Sequence, residues 1–456
     1  MVRTTSHPSH AASRRNIRLG SLGAALEYYD FVAYLYVATL IGQAFFPAET
    51  SDTMRLVQTL SVYAIGMVVR PLAGVVIARV ADRVGRKKMF ILTVVMMSVS
   101  TLVIGVSPTY EQAGWIAPAL LVLMRIVQGC AVGGELPGAA VFVTEHARPG
   151  SVARAGAFQQ MTAYSGFLLG AAAAFLSGLL VEHLLPSLPS LAWRLPFIIG
   201  GVLGLITLYL RRRLDETPEF VQETVDGKAR PTPMRVALAG HGRAIGLSVV
   251  IVVALALANS TYFQFWPTYL QSSLHLAATP ALFASLIGIS AAMLSMPVWG
   301  LVADRYGWRT ELGLAALLTA ATTVVLLLLV PATAQSPGVA LWMQLPAALA
   351  VGGLVSAVPG LVSAVFPTAV RQTGYALSYN LVVAVVGGPF NVVMVWLIAT
   401  LGVSAPMYVV LVASALTLLV ALLVGRVRLH LGPGAAPVTD GPLGDADDTR
   451  EATTHT

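Results

Sequence analysis

The chain is 456 residues long, 56% hydrophobic and only 11% charged, with a mean hydropathy of +0.77. Soluble globular domains carry about a quarter charged residues, so the composition excludes an ordinary soluble globule and predicts a chain that resides in lipid. The net charge of +7 reports orientation in a membrane rather than a nucleic-acid partner, because no basic soluble surface interleaved with aromatic residues is present.

Residues 1–18 are polar and basic, with no small-residue cleavage site behind a short apolar stretch, and read as a cytoplasmic tail rather than a removed signal peptide. Apolar runs follow that are long enough to cross a bilayer, which takes about 20 helical residues. They predict twelve spans: near 19–46, 56–79, 89–106, 115–144, 155–181 and 193–210 in a first set (19–210), and near 243–271, 280–302, 311–330, 338–365, 372–400 and 404–425 in a second (243–426). A basic segment, 211–242, joins the sets, and residues 427–456, which lack an apolar heptad, are expected to form a disordered cytoplasmic tail. Of the 28 lysines and arginines, 24 fall on the side of the termini, Arg55 and Arg194 on the other, and Arg70 and Arg125 within spans. The positive-inside rule then predicts a multi-pass protein of the cytoplasmic (inner) membrane with both termini inside.

The single cysteine, Cys130, cannot form an internal disulfide and sits in the small-residue run GCAVGG, which suits tight helix packing. No GxSxG, HExxH or P-loop pattern is present. Neither enzymatic activity nor a cofactor or metal is expected; the expected partners are the bilayer, a small-molecule solute and protons, and the expected state is a monomer.

VADRVGRKK at 80–88 and VADRYGWRT at 302–310 lie 222 positions apart, each after the second helix of a set of six. The chain therefore reads as a parallel internal duplication, an all-α membrane protein of twelve transmembrane helices in two pseudo-symmetric six-helix bundles. Asp82 and Asp304 close spans, while Arg83, Arg86 and Arg305 can pair with acids on neighbouring helix ends. Glu145 and Arg154 at the connection between spans 4 and 5, and Glu216 after span 6, are candidate partners. Rocking the halves must break such pairs, which makes a gate; the competing reading is that these charges only anchor topology. Their recurrence at matching places in both halves argues for the gate.

The repeated pattern G/A-x-x-x-D-R-x-G-x-R/K is similar to the loop most characteristic of the major facilitator transporters, with Ala78 where Gly is commonest and Trp308 interrupting the second copy. Narrower strings resemble that superfamily's metabolite/proton symporter branch, which contains α-ketoglutarate, citrate, shikimate and proline/betaine permeases. They are GxxLEYYDFxxY (23–34), RPLAG (70–74), RIVQGCAVGGE (125–135), WRLPF (193–197), LRRRLDETPEF (210–220), FWPTYL (265–270) and FPTAVRQTGYALSYNLVVAVVGGP (366–389). The resemblance implies the major facilitator fold, proton-coupled transport by alternating access, and a cavity lined by helices 1, 4, 7 and 10. Two departures bear on substrate preference: Ala24 replaces an Asn common before the first-helix acid, and PFNVV follows Gly388 instead of an Ala-Pro-rich run.

Ionisable groups inside spans are expensive and mark ion or substrate pathways. They are Glu27 and Asp30 in span 1, Arg70 in span 2, and Arg125 and Glu135 in span 4; spans 7 to 12 are expected to bury no acid or base apart from Arg371. Asp30, Arg70 and Arg125 fall near the midplane by helical rise. Asp30 is the first candidate proton carrier, since burial pushes a carboxylate toward the neutral form and a nearby arginine pulls it back; Glu135 and Glu27 are the next. Arg70 and Arg125 each present a fork that fits a substrate carboxylate. Gln128 lies on the Arg125 helix, and Tyr29 and Tyr34 belong to the first-helix string, as further substrate contacts. The competing reading is static ion pairs that fix helix packing.

In the second half, Asn259, Tyr262, Trp266 and Tyr269 follow 3-4-3 spacing and are expected to share one face of span 7, with Pro267 offering a bend. Tyr379 and Asn380 match the YN pair of the resembling branch. The reading is a proton-coupled symporter of a small polar metabolite, an organic acid first and a betaine- or proline-type osmolyte second. A proton-coupled exporter of a metabolite or drug, and a membrane receptor or scaffold, are the alternatives.

Overall fold

The computed structural model describes residues 25–84, 86–131, 135–145, 147, 150–211, 240–333, 337–368, 370–430 and 438–439. It is almost wholly helical. Span 1 comprises residues 25–36 and Ala38–Phe45, broken at Val37. Span 2 is Asp52–Val84, span 3 Arg86–Val106, span 4 Ile116–Ala131 with Glu135–Glu145, span 5 Val152–His183 and span 6 Leu191–Arg211. In the second half, span 7 runs from Gly242 to Ser272, span 8 is Ala278–Tyr306, span 9 Trp308–Thr333 and span 10 Pro337–Val365. Span 11 runs from Arg371 to Leu401 and span 12 is Ala405–Val424. Among the described residues eight helices are long and apolar enough to cross a membrane unaided, and shorter apolar helices, Ile91–Val106 and Ile116–Ala131, lie in spans 3 and 4.

Two spans are interrupted inside the second half. Span 7 passes through a π-helical turn, Ser260–Phe265, just before Pro267, and span 11 through another, Val383–Gly387, just before Pro389. Proline cannot donate the i→i−4 bond and crowds the preceding turn, and single π turns of this kind gather at functional sites.

The halves meet along two seams, span 2 against span 11 and span 5 against spans 8 and 10. The repeat offset turns span 2 into span 8 and span 11 into span 5, so the two seams are pseudo-equivalent. Close approach needs small residues: a Cβ on Gly388 would stand 2.9 Å from Met67 Cβ across the first seam. Span 10 is central, with 94% of its apolar window buried against 33% for span 9, which leaves much of span 9 to face lipid.

Two expectations need correction. Glu311 on span 9 is fully buried, and the Ser356 hydroxyl of span 10 donates to its Oε1 at 3.4 Å, so the second half does enclose an acid in addition to the base Arg371. The reason lies in the repeated loop: Gly307, at φ 82, is the only residue between spans 8 and 9. Glycine adopts that left-handed conformation without strain, so span 9 starts at once and its first turn is drawn in beneath span 10. The start of the C-terminal tail is also ordered. Leu429 is buried, Arg428–Leu429 pairs antiparallel with Val438–Thr439, and the His430 N–H donates to the Ala364 carbonyl at 2.7 Å.

Candidate functional site

The buried charges of the first half sort into two pairs hung from neighbouring faces of span 1. Glu27 accepts a hydrogen bond from Arg70 Nη2 of span 2, and the Arg70 guanidinium lies 4.8 Å from the Phe31 ring centroid. Asp30, three residues on, takes different partners. Its Oδ2 accepts from Arg125 Nη1 at 2.8 Å, and its Oδ1 accepts from Thr101 Oγ1 and Gln128 Nε2 at 2.9 Å each. The Arg125 guanidinium stands 3.8 Å over the Tyr34 ring. Both pairs are almost entirely out of solvent, where removing one partner costs about 3–5 kcal/mol because the other charge is left uncompensated. A glycine pair brings Arg125 in: a Cβ on Gly129 would fall 2.1 Å from the Gly66 carbonyl oxygen, so spans 4 and 2 cross with backbones touching.

A cavity of about 50 Å³ lies between the halves at the same depth. Tyr28, Phe31, Tyr63, Arg70, Gln160, Tyr164 and Phe167 line it from the first half, and Asn259, Ser260, Gln264, Tyr379 and Val383 from the second. The Tyr28 and Tyr379 hydroxyls are 3.4 Å apart, the Tyr164 hydroxyl donates to Asn259 Oδ1, and the Tyr63 hydroxyl donates to Gln264 Oε1 at 3.4 Å. An apolar cavity of about 150 Å³ accepts benzene; this one has room for a few waters and is too small for a metabolite of that size.

Of the candidate substrate contacts, Arg70, Asn259 and Tyr379 reach the cavity wall, and Arg125, Gln128, Tyr29, Tyr34, Tyr262, Trp266 and Asn380 do not. Arg125 and Gln128 are held in the Asp30 network. Tyr29 turns to span 6, its hydroxyl donating to the Pro196 carbonyl at 2.6 Å, and Tyr34 donates to the Thr59 carbonyl at 2.8 Å. Tyr262 bonds Thr323 of span 9 at 3.2 Å, Trp266 packs between Tyr262 and Tyr269, and Tyr269 donates to the Val403 carbonyl at 2.8 Å. The shared face expected on span 7 is split because the π turn after Asn259 inserts extra residue per turn and rotates all that follows. Asn380 is half-buried. The Glu135 side chain lies outside the described residues. Sequence reading missed Tyr28, Tyr63, Tyr164, Gln264 and Thr101; Tyr28 sits in the first-helix string beside the acid, while the others are single polar residues in apolar spans and carry no local signal.

At the face of the repeated loops, Asp304 reaches across to the other half. Its Oδ1 and Oδ2 accept the backbone N–H groups of Ala153 and Arg154, at 3.0 and 3.2 Å, in the first turn of span 5. A carboxylate there satisfies orphan donors and meets the positive end of the helix dipole; the Arg154 side chain, 4.0 Å away, adds an exposed and weak pair. Glu145 at the end of span 4 pairs with Arg371 at the start of span 11 at 3.1 Å, and Arg371 Nη2 also donates to the His430 carbonyl at 2.9 Å. Arg305 lies over the Tyr306 ring at 5.3 Å and, among the described residues, makes no ion pair to the other half. The side chains of Asp82, Arg83, Arg86 and Glu216 lie outside the described residues.

Two helical bundles that meet along pseudo-equivalent seams, with paired charges buried at mid-depth and a small cavity between them, define a membrane carrier. The chain belongs to the Major Facilitator Superfamily, whose sequence pattern matches residues 21–390. It is 30% identical over 439 residues to the glycine betaine/proline/ectoine/pipecolic acid transporter OusA of Dickeya dadantii, covering 93% of this chain and 85% of that one. It is 35% identical over 381 residues to the alpha-ketoglutarate permease of Escherichia coli K12, covering 81% and 83% of the two chains. A citrate-proton symporter of Salmonella typhi is 30% identical over 397 residues, with 85% and 88% covered. Among solved structures, a D-xylose-proton symporter superposes with a TM-score of 0.69 over 90% of this chain and 96% of that one, at 17% identity, a likeness of fold alone.

Proposed function

We propose that the protein is a proton-coupled symporter of a small polar metabolite, working by alternating access, with the repeated loops on the cytoplasmic side. The observation that carries this reading is the pair of buried ion pairs on one stretch of span 1, one in the cavity wall and one behind it. Asp30 is the proton carrier: protonation removes its charge from Arg125, and its contacts to spans 3 and 4 through Thr101, Gln128 and Arg125 transmit the change. Arg70 is the substrate's carboxylate clamp, with Glu27 as its partner in the empty state. Because span 1 carries both acids, moving it for one event alters the other, which couples proton and solute.

The wall also bears on the substrate class. Arg70 is neutralised by Glu27, and the surrounding surface is built from Tyr28, Phe31, Tyr63, Tyr164, Phe167 and Tyr379. A neutral ion pair within aromatic faces complements a zwitterion, its carboxylate on Arg70 and its ammonium against the rings and Glu27. A betaine- or proline-type osmolyte therefore takes precedence over an organic acid. The organic acid is the second reading, supported by the 35% identity to the alpha-ketoglutarate permease.

The test is purified protein in liposomes with labelled glycine betaine, proline, α-ketoglutarate and citrate, with and without an inward proton gradient. Gradient-stimulated accumulation of the zwitterions is expected. Uptake indifferent to the gradient overturns the symport reading, and accumulation of the acids alone overturns the order of substrates.

A further inference from the structure

On the face opposite the repeated loops, span 1 and span 7 are both broken at the same level and touch. Span 1 ends its regular helix at Tyr36 and is interrupted at Val37, whose φ of −108 and ψ of 18 leave the helical region. Span 7 passes there through its π turn and reaches Pro267. Proline has no N–H, so two carbonyls one turn back are short of a donor: that of Tyr262 at the π spacing, which lies 3.5 Å from Gln344 Nε2, and that of Phe263 at the α spacing. The Tyr36 hydroxyl donates to the Phe263 carbonyl at 2.9 Å, from the other half of the protein. Both residues are buried, Tyr36 at 2% and Phe263 at 0% exposure.

We infer that Tyr36 is the latch of this second gate, a positioning residue that closes the cavity on the side away from the repeated loops by supplying the hydrogen bond that Pro267 withholds from Phe263. The chemistry makes the contact reversible. A carbonyl left short of its helical donor accepts a hydroxyl readily when spans 1 and 7 meet, and water satisfies it when they part, so neither state strands a buried acceptor. Thr39 to Gln271 Oε1, at 3.4 Å, is the next bond outward along the same two spans. The latch acts on alternating access alone and requires neither the proton assignment nor the substrate class proposed above.

The experiment reads gate opening without substrate. In a Cys130→Ala background, a cysteine at Gln264, on the cavity wall, is labelled by a membrane-impermeant maleimide added from the face opposite the repeated loops. Tyr36→Phe is expected to raise the labelling rate about fivefold, the population change carried by one neutral hydrogen bond. Ser285, which also neighbours Tyr36, keeps its own bond to the Ala281 carbonyl at 3.0 Å, so the substitution strands no other group there. Pro267→Ala restores an N–H that competes for Phe263, and in that background Tyr36→Phe should change the rate less than about twofold. An unchanged rate in Tyr36→Phe overturns the latch, and an equal increase in both backgrounds overturns its link to the proline. If Pro267→Ala does not fold, Phe263→Ala offers no replacement because the carbonyl stays; Pro267→Ser, with the same restored N–H, gives the second reading.

Discussion

The two halves share a backbone plan and differ in what they bury. The first encloses four charges at mid-depth as Glu27 with Arg70 and Asp30 with Arg125. The second offers neutral groups at the same depth: Asn259, Gln264 and Tyr379 on the cavity wall, and Tyr262 and Thr323 bonded to each other behind it. Three of its charged residues, Asp304, Glu311 and Arg371, lie near the face of the repeated loops, where Asp304 and Arg371 reach the other half. The difference teaches that duplication set equivalent seams for both halves, while the costly buried ion pairs are placed in only one. The other half can remain a shaped, uncharged wall that the first half moves against.

The comparison breaks most visibly at Asp30. Asp30→Asn keeps one acceptor oxygen for Thr101 and Gln128 and fixes residue 30 in an uncharged state, as protonation of the acid would. It should abolish gradient-driven accumulation in proteoliposomes while exchange of internal for external solute continues. Accumulation that survives would move the proton to Glu27 or Glu135. Next in size is Arg70→Lys, which keeps the charge and loses the fork. Losing a charge-assisted bidentate contact should raise KM by at least about tenfold, whereas an unchanged KM would remove the carboxylate clamp.

A smaller effect is expected at the seam between the halves. Asp304→Asn weakens a charge on the N-terminus of span 5 and should raise the labelling of a cysteine at Ala157 from the face of the repeated loops about three- to tenfold. Arg305→Ala, which among the described residues loses a contact with Tyr306, should stay within about twofold; equal effects would return both residues to topology anchors. The smallest effect sharpens the neutral half. Trp266→Phe should leave KM within about twofold, because Trp266 packs against Tyr262 and Tyr269 and not on the cavity wall. A larger loss of affinity would bring the span 7 stripe back into the site.

The sequence alone determined the membrane class, the twelve spans, the duplication and the short roster of charges that lipid would not tolerate without a reason. These follow from local quantities: hydropathy over a window, residues per bilayer thickness, and repeated letters. Tertiary structure decided the partners. Helical periodicity sets the angle between Glu27 and Asp30 on span 1, but only the packing of spans 2, 3 and 4 around it gives Arg70 to Glu27 and Arg125, Gln128 and Thr101 to Asp30. Periodicity likewise failed on span 7, where a π turn rotated Tyr262 and Trp266 away from Asn259. Glu311 was misplaced because a one-residue loop at Gly307 pulls the start of span 9 under span 10. The cavity wall could not be read from any one segment, since it is made by tyrosines from spans 1, 2, 5 and 11 that meet only when the two halves close.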